Sequence, residues 1–127
     1  MKTKYNNRAY WTSLHRQHVG QLSAVGYWGM GEGFNRAAYR LRLGAAERLP
    51  RRNAVQPQKI LEAAVGVGAY EPLWRELGVQ RWVGVDISPD AIAGLQARST
   101  GTFLVADLTS DWNAASLGSG AVSPRGG

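Results

Sequence analysis

The sequence predicts an α/β fold with a short parallel sheet of about three strands, preceded by a helical N-terminal extension. An apolar run, Lys59–Ala64, has the length and residue types of a buried strand, and a glycine-containing turn follows it. Two further strand-like segments, Arg81–Asp86 and Thr102–Asp107, each end in an aspartate. Helix signals separate the three segments, and this alternation is typical of a parallel sheet.

The two connecting helices have recognisable ends. The first is predicted near Pro72–Leu77, because proline suits the first helical turn and Gly78 suits the position just after the last one. The second begins at Ser88, a good N-cap that is followed by Pro89, and runs to about Arg98.

The part of the chain before the first strand is predicted to be helical as well. Apolar residues recur at helical spacing over Arg36–Leu49, with Asn35 placed to cap this helix and Pro50 to end it. The preceding segment, Gln21–Phe34, is rich in glycine and aromatic residues and is predicted to be a loop. A further short helix is expected over 12–19, capped by its first or second residue.

Composition excludes several classes of function. The chain has 127 residues, 44% of them hydrophobic, which is enough for one small folded domain. It contains no cysteine and two histidines, so disulfides, thiolate catalysis and the common metal sites are not expected. No stretch reaches the roughly 20 apolar residues of a membrane span, and no signal peptide is evident, so a soluble, cytoplasmic protein without a membrane partner is expected.

Charge is distributed unevenly along the chain. Residues 1–59 hold 11 Lys/Arg against 2 Asp/Glu, whereas residues 60–127 hold 4 against 7. A basic half can mark a surface for nucleic acid, an anionic substrate or a partner protein. The basic residues are spread out rather than clustered, which also fits a solvated helix face and makes nucleic acid the less favoured interpretation.

The glycine turn narrows the kind of ligand. A dinucleotide fingerprint requires G-x-G-x-x-G, with a pyrophosphate at the helix N-terminus. Here Gly66 and Gly68 are followed by Glu71 at the third glycine position, and its charge would repel a pyrophosphate. Together with Glu62, this residue favours a ligand that has a cationic portion and no phosphate. The turn by itself is equally compatible with an ordinary glycine-rich strand-to-helix connection.

The segment Ile60-Leu61-Glu62-Ala63-Ala64-Val65-Gly66-Val67-Gly68 resembles the first motif of the class I S-adenosylmethionine-dependent methyltransferases, which reads hydrophobic-Leu-Asp/Glu-x-Gly-x-Gly-x-Gly. Ala64 replaces the first glycine. The resemblance covers about residues 56–110 and implies a Rossmann-like sheet and S-adenosylmethionine as the cofactor. It gives Glu62 the role of orienting the glycine loop and the methionine end of the cofactor.

Two later segments resemble the second and third motifs of the same family. Val83–Ser88 is similar to the strand whose terminal acid, here Asp86, binds the ribose hydroxyls. Phe103–Leu108 is similar to the strand whose aspartate, here Asp107, lies near the adenine amino group. Either aspartate could instead only cap a helix or end a strand. The cofactor-binding residues predicted from the resemblance are Glu62, Ala64, Gly66, Gly68, Asp86, Ile87, Asp107 and Leu108.

The N-terminal region, residues 1–55, resembles the variable lid that closes over the cofactor in small-molecule members of the family. Tyr27 and Trp28 could cover the sulfonium or shape the acceptor site, but packing of Tyr27, Trp28 and Phe34 on the sheet is the favoured interpretation. His15 and His18 are candidate bases by residue type, and a surface role is the favoured interpretation of both. No catalytic residue and no specific acceptor follow from the sequence.

The resemblance also implies a larger sheet of seven strands. Residues 56–112 are predicted to form a partial cofactor-binding domain, and the small and polar residues 113–127 to form a disordered tail. Strands four to seven are absent from the given sequence, which predicts a truncated form, a complementing chain or a homo-oligomer.

Overall fold

The computed structural model describes residues 4–109. Helices and strands alternate in the second half of this range, and two short 3-10 helices, Leu22–Ala24 and Trp28–Met30, connect the first two α-helices. In chain order the main elements are α1 (Asn7–Gln17), α2 (Gly31–Arg52), β1 (Lys59–Ala63), α3 (Glu71–Glu76), β2 (Arg81–Asp86), α4 (Pro89–Arg98) and β3 (Thr102–Val105).

The three strands form one parallel sheet in the order β1-β2-β3. Right-handed crossovers that advance in one direction place their helices on the same face, so α3 and α4 cover one side of the sheet. Leu61 points to the other side and is 73% exposed. The core lies beneath the two helices and consists of Val65, Trp82, Ile92, Leu95 and Phe103.

The predicted α/β class and the parallel three-stranded sheet are confirmed. β2 has the predicted bounds, and β3 ends two residues before Asp107. Ser88 caps α4 as expected, because its Oγ accepts a hydrogen bond from the Ala91 amide at 3.2 Å. Gly78 follows α3 with a φ of 73°, the left-handed conformation predicted for that position.

The predictions for the N-terminal helices need correction. α1 starts at Asn7 rather than near residue 12, because the Asn6 side chain accepts a hydrogen bond from the Ala9 amide and caps the helix. α2 continues past Pro50 to Arg52, where the Asn53 amide donates to the Leu49 carbonyl at 3.3 Å and the Val55 amide donates to the Pro50 carbonyl at 2.8 Å. α2 also begins earlier than predicted, at Gly31, so the last part of the expected loop is helical.

Asn35 does not cap α2 and is instead fully buried in its second turn. Its Oδ1 accepts a hydrogen bond from the Tyr27 amide at 2.6 Å, and its Nδ2 donates to the carbonyls of Tyr27 and Gly31 at 3.0 and 2.8 Å. This side chain therefore fixes the connecting segment against α2 by three hydrogen bonds.

The aromatic residues of the connecting segment do not pack on the sheet. Tyr27, Trp28 and Phe34 remain about half exposed, and Tyr27 and Phe34 form an edge-to-face pair. Trp28 lies against the ring of His18, with ring centroids 3.9 Å apart. The surface role predicted for His15 is wrong, because its side chain is only 4% exposed.

The described helices also bear on the expected absence of a membrane partner. Among residues 4–109, no helix is long and apolar enough to cross a membrane. The predicted tail, residues 113–127, lies outside the described residues.

Candidate functional site

A pocket of about 250 Å³ lies at the carboxyl ends of the three strands. Open parallel sheets bind their ligands at this edge, because the loops that follow the strands converge there. Each strand contributes at least one predicted site residue to the lining: Ala64 after β1, Asp86 and Ile87 at the end of β2, and Asp107 and Leu108 after β3.

The turn after β1 requires the left-handed conformation at three alternate positions. Gly66 and Gly68 have φ values of 52° and 70°, and Ala64 has a φ of 54°. A Cβ on Gly66 would lie 2.5 Å from Val25 Cγ1, so the close packing of the connecting segment excludes any side chain there. Ala64 adopts the same conformation without glycine, which costs roughly 1–2 kcal/mol.

Gly68 serves the interior rather than the pocket. A Cβ at this position would lie 2.6 Å from Leu95 Cδ2 and 3.3 Å from the Trp82 ring. Both residues belong to the core under α3 and α4. The glycine at the end of the turn therefore allows the chain to pass close to α4, and this is the packing function of a glycine in such turns.

Asp86 connects the glycine turn to the end of β2. The residue is 7% exposed; its Oδ2 accepts a hydrogen bond from the Gly66 amide at 2.8 Å and its Oδ1 one from the Ser88 amide at 2.9 Å. A carboxylate can accept about four hydrogen bonds, so each oxygen keeps capacity for a ligand hydroxyl. The two backbone amides hold this carboxylate in a fixed orientation at the pocket wall.

Glu62 lies outside the pocket. Its Oε2 accepts hydrogen bonds from the indole Nε1 atoms of Trp74 and Trp82, at 2.9 and 3.0 Å. Burial raises the pKa of this carboxyl, and the hydrogen bonds from the two tryptophans oppose that rise. In the described structure Glu62 thus joins α3 to β2, and it is not among the groups that line the pocket.

The carboxylate of Glu71 is also engaged elsewhere. It pairs with Arg75 at 3.1 Å and with Arg98 at 3.7 Å, and it accepts a hydrogen bond from the Ser99 hydroxyl at 2.8 Å. Two guanidinium groups therefore balance its charge, which weakens the argument that Glu71 repels a phosphate. Asp86 and Asp107 are the acidic residues that line the pocket itself.

Asp107 forms a local turn at the far side of the pocket. Its Oδ1 accepts hydrogen bonds from the Thr109 amide at 2.9 Å and from the Thr109 hydroxyl at 2.6 Å. The neighbouring Leu108 contributes an apolar side chain, and Ile87 contributes another from the end of β2. The pocket thus combines two carboxylates with apolar walls, which is the composition typical of small-molecule sites.

The remaining wall belongs to α1 and was missed by the sequence reasoning. Asn7, Trp11 and His15 all line the pocket, and their four-residue spacing places them on one face of the helix. The spacing is visible in the sequence, but nothing there indicates where α1 docks. An ion pair between Arg16 Nε and Asp90 Oδ2, at 3.2 Å, connects α1 to α4.

His15 is the most enclosed residue of this wall. Burial lowers the pKa of its imidazole, while the nearby carboxylates of Asp86 and Asp90 act in the opposite direction. His18 lies outside the pocket, against Trp28. No group of His, Asp and Glu residues within the described range 4–109 could hold a metal ion.

Five of the eight predicted site residues therefore meet in one pocket, and Gly66 supports it through its hydrogen bond to Asp86. Glu62 and Gly68 are directed into the helix-covered side of the sheet. Comparison with family models, with curated proteins and with solved structures gives no match for this chain.

Proposed function

We propose that this chain binds the adenosyl group of S-adenosylmethionine in the pocket at the strand ends, as the cofactor-binding part of a methyltransferase. The observation that carries the proposal is the buried carboxylate of Asp86, which two backbone amides orient beside a glycine turn. A carboxylate held in this way can accept hydrogen bonds from both hydroxyls of a ribose.

The other lining residues suit the base of a nucleoside. Ile87 and Leu108 offer apolar surface to a planar ring, and Asp107 offers an acceptor near its edge. The volume of about 250 Å³ is close to the lower end, roughly 300 Å³, of small-molecule pockets. A pocket of this size accommodates a nucleoside more readily than a dinucleotide.

The start of α3, the helix that follows the glycine turn, also favours a ligand without a pyrophosphate. α3 has only six residues, so the dipole at its N-terminus is weak and offers little to a pyrophosphate. The turn itself is in direct contact with a carboxylate, because the Gly66 amide donates to Asp86 Oδ2. S-adenosylmethionine, when bound, supplies an electrophilic methyl group on a sulfonium, and the residues described here would contribute by holding its nucleoside in place.

Calorimetry with S-adenosylhomocysteine tests the proposal. We expect saturable binding to the wild-type chain and none of comparable strength with NAD. Ile87→Ala removes apolar contact with the base and should weaken binding about tenfold, or about 1.4 kcal/mol. Leu77→Ala is the matched control, since Leu77 is also half-buried and lies outside the pocket. Failure of the folded wild-type chain to bind S-adenosylhomocysteine would overturn the proposal.

A second candidate function is a nucleic-acid or partner-binding module. The supporting observation is that α2 carries six exposed arginines along its length, Arg36, Arg40, Arg42, Arg48, Arg51 and Arg52. Arginines that contact phosphates release counterions, so binding of RNA would fall steeply as salt rises. RNA binding with a steep salt dependence, unchanged by Ile87→Ala, would favour this alternative over the nucleoside pocket.

A further inference from the structure

The face of α1 that meets the pocket contains a polar group without a protein partner. His15 is 4% exposed, yet among residues 4–109 no hydrogen bond engages its imidazole. Its ring borders the main pocket and also a smaller one of about 200 Å³ on the α4 side. The buried side-chain atom that lacks a hydrogen-bond partner among residues 4–109 is Thr12 Oγ1, so the ring nitrogens of His15 keep access to the pockets that they border. A ligand in these pockets can therefore supply the hydrogen bond that the protein does not.

The imidazole lies close to the Asp86 carboxylate. Its Cε1 is 3.7 Å from the point where a Cβ on Gly66 would stand, and the Gly66 amide is the group that donates to Asp86 Oδ2. Cε1 lies between the two ring nitrogens, so the polar edge of the ring faces the turn that Asp86 holds. The two groups thus approach the same part of the pocket from opposite elements, α1 and β2.

The His15 imidazole and the Asp86 carboxylate together offer the hydrogen-bond partners that one ligand hydroxyl group needs. A hydroxyl donates one hydrogen bond and accepts others, whereas an ionised carboxylate only accepts. A sugar hydroxyl that donates to Asp86 therefore still needs a donor for its oxygen. Burial favours the neutral form of His15, which has one N–H to donate and one nitrogen that accepts.

We propose that His15 binds the ribose of the ligand: its ring N–H donates to the oxygen of the hydroxyl that donates to Asp86. The inference rests on the proposed function and extends it to a residue of the N-terminal helix. Because the contact spans α1 and the ligand, binding would also stabilise the docking of α1 over the strand ends, where the exposed Arg16–Asp90 ion pair contributes little.

The two histidines of the chain make the test direct. In a ¹⁵N-labelled full-length chain, each imidazole gives a separate set of ring signals. Titration with S-adenosylhomocysteine should shift the ring ¹⁵N signals of His15 in a saturable way and leave those of His18 unchanged. The measurement needs no substitution in the pocket, so it does not depend on the folding of a variant.

Substitution of each histidine measures how much its side chain contributes to the binding affinity. His15→Leu should weaken binding of S-adenosylhomocysteine about tenfold, and His18→Leu should leave it unchanged. Binding to the wild-type chain without a shift of the His15 signals, or with equal affinity for the folded His15→Leu variant, would overturn this inference alone. No binding to the wild-type chain would overturn the proposed function together with it.

Discussion

The ends of β1 and β2 each present a carboxylate on the same face of the sheet, and the two have different surroundings. Glu62 lies opposite Gly84 in the register, two residues before Asp86. At about 3.3 Å per residue, Glu62 is set back from the edge by more than 6 Å. Indole groups from α3 and β2 reach it there, whereas Asp86 stands at the edge and is held by backbone amides.

The level of each carboxylate along its strand therefore decides its role. A carboxylate beneath the helices is enclosed by side chains that the helices bring, and it joins those elements to one another. Asp86, at the edge, is the more buried of the two, but backbone amides hold it and its oxygens keep acceptor capacity toward the pocket. Both residues carry a carboxylate and lie on the same face of the sheet, so neither feature distinguishes a structural role from a binding role.

Removal of Asp86 should have the largest effect on stability. Asp86→Ala leaves the amides of Gly66 and Ser88 without acceptors, and a hydrogen bond to a charged group contributes about 1.5–3 kcal/mol. We expect the free energy of unfolding in urea to fall by roughly 3 kcal/mol or more. Asp90→Ala, which breaks only an exposed ion pair, should cost less than about 1 kcal/mol. Equal losses for the two variants would contradict the role given to Asp86.

Removal of Glu62 should cost stability without affecting ligand binding. Glu62→Leu leaves two indole N–H groups unpaired, and we expect a loss of about 2 kcal/mol in urea denaturation. Glu76→Leu is the control on an exposed carboxylate, with little expected change. A tenfold loss of affinity for S-adenosylhomocysteine in the folded Glu62→Leu variant would show that Glu62 belongs to the binding site after all.

Ala64→Gly should change stability in the opposite direction. Glycine relieves the left-handed strain at this position, roughly 1–2 kcal/mol, and loses about 0.5–1 kcal/mol through greater freedom of the unfolded chain. We expect a net gain of about 0.5 kcal/mol, seen as a higher urea midpoint at unchanged slope. A lower midpoint would indicate that the alanine methyl group makes packing contacts that outweigh the strain.

The smallest effect expected is that of pH on stability through the half-buried Glu62. Its pKa in the folded chain is raised from 4.5 by burial, so the folded state binds its proton more tightly than the unfolded state does. The stability that this proton contributes is complete below pH 4.5 and is lost as pH rises through the folded pKa. Glu62→Gln should therefore show a smaller decline in unfolding free energy above pH 4.5 than the wild type. If the unfolding free energies of the wild type and of Glu62→Gln decline in parallel above pH 4.5, Glu62 does not have a raised pKa in the folded chain.

Local patterns were sufficient to predict the strands and the caps of the second half. Ser88 caps α4 with its own side chain and Gly78 ends α3 through its own backbone conformation, so both roles are readable from neighbouring residues. The role of Glu62 was not predictable in this way, because Trp74 and Trp82 reach it only through tertiary packing.

The α1 wall was missed for the same reason. Asn7, Trp11 and His15 have the spacing of one helix face, but their position over the strand ends depends on the docking of α1 against α4. A long-range contact also changes the role predicted for Glu71. Arg98, on the next helix, pairs with its carboxylate and balances the charge that was expected to repel a phosphate. Site residues on the loops after the strands were predictable, since parallel topology alone brings those loops together.

The most direct test of the account compares two ligands on the unchanged protein. Calorimetry with S-adenosylhomocysteine and with its 2′-deoxyribose analogue isolates one ribose hydroxyl, and it avoids the instability expected from Asp86 variants. We predict that the analogue binds at least about tenfold more weakly. It lacks the 2′-hydroxyl, so the Asp86 carboxylate loses the hydrogen bond that this hydroxyl would donate to it. Equal affinity for the two ligands would contradict the assignment of Asp86 to the ribose.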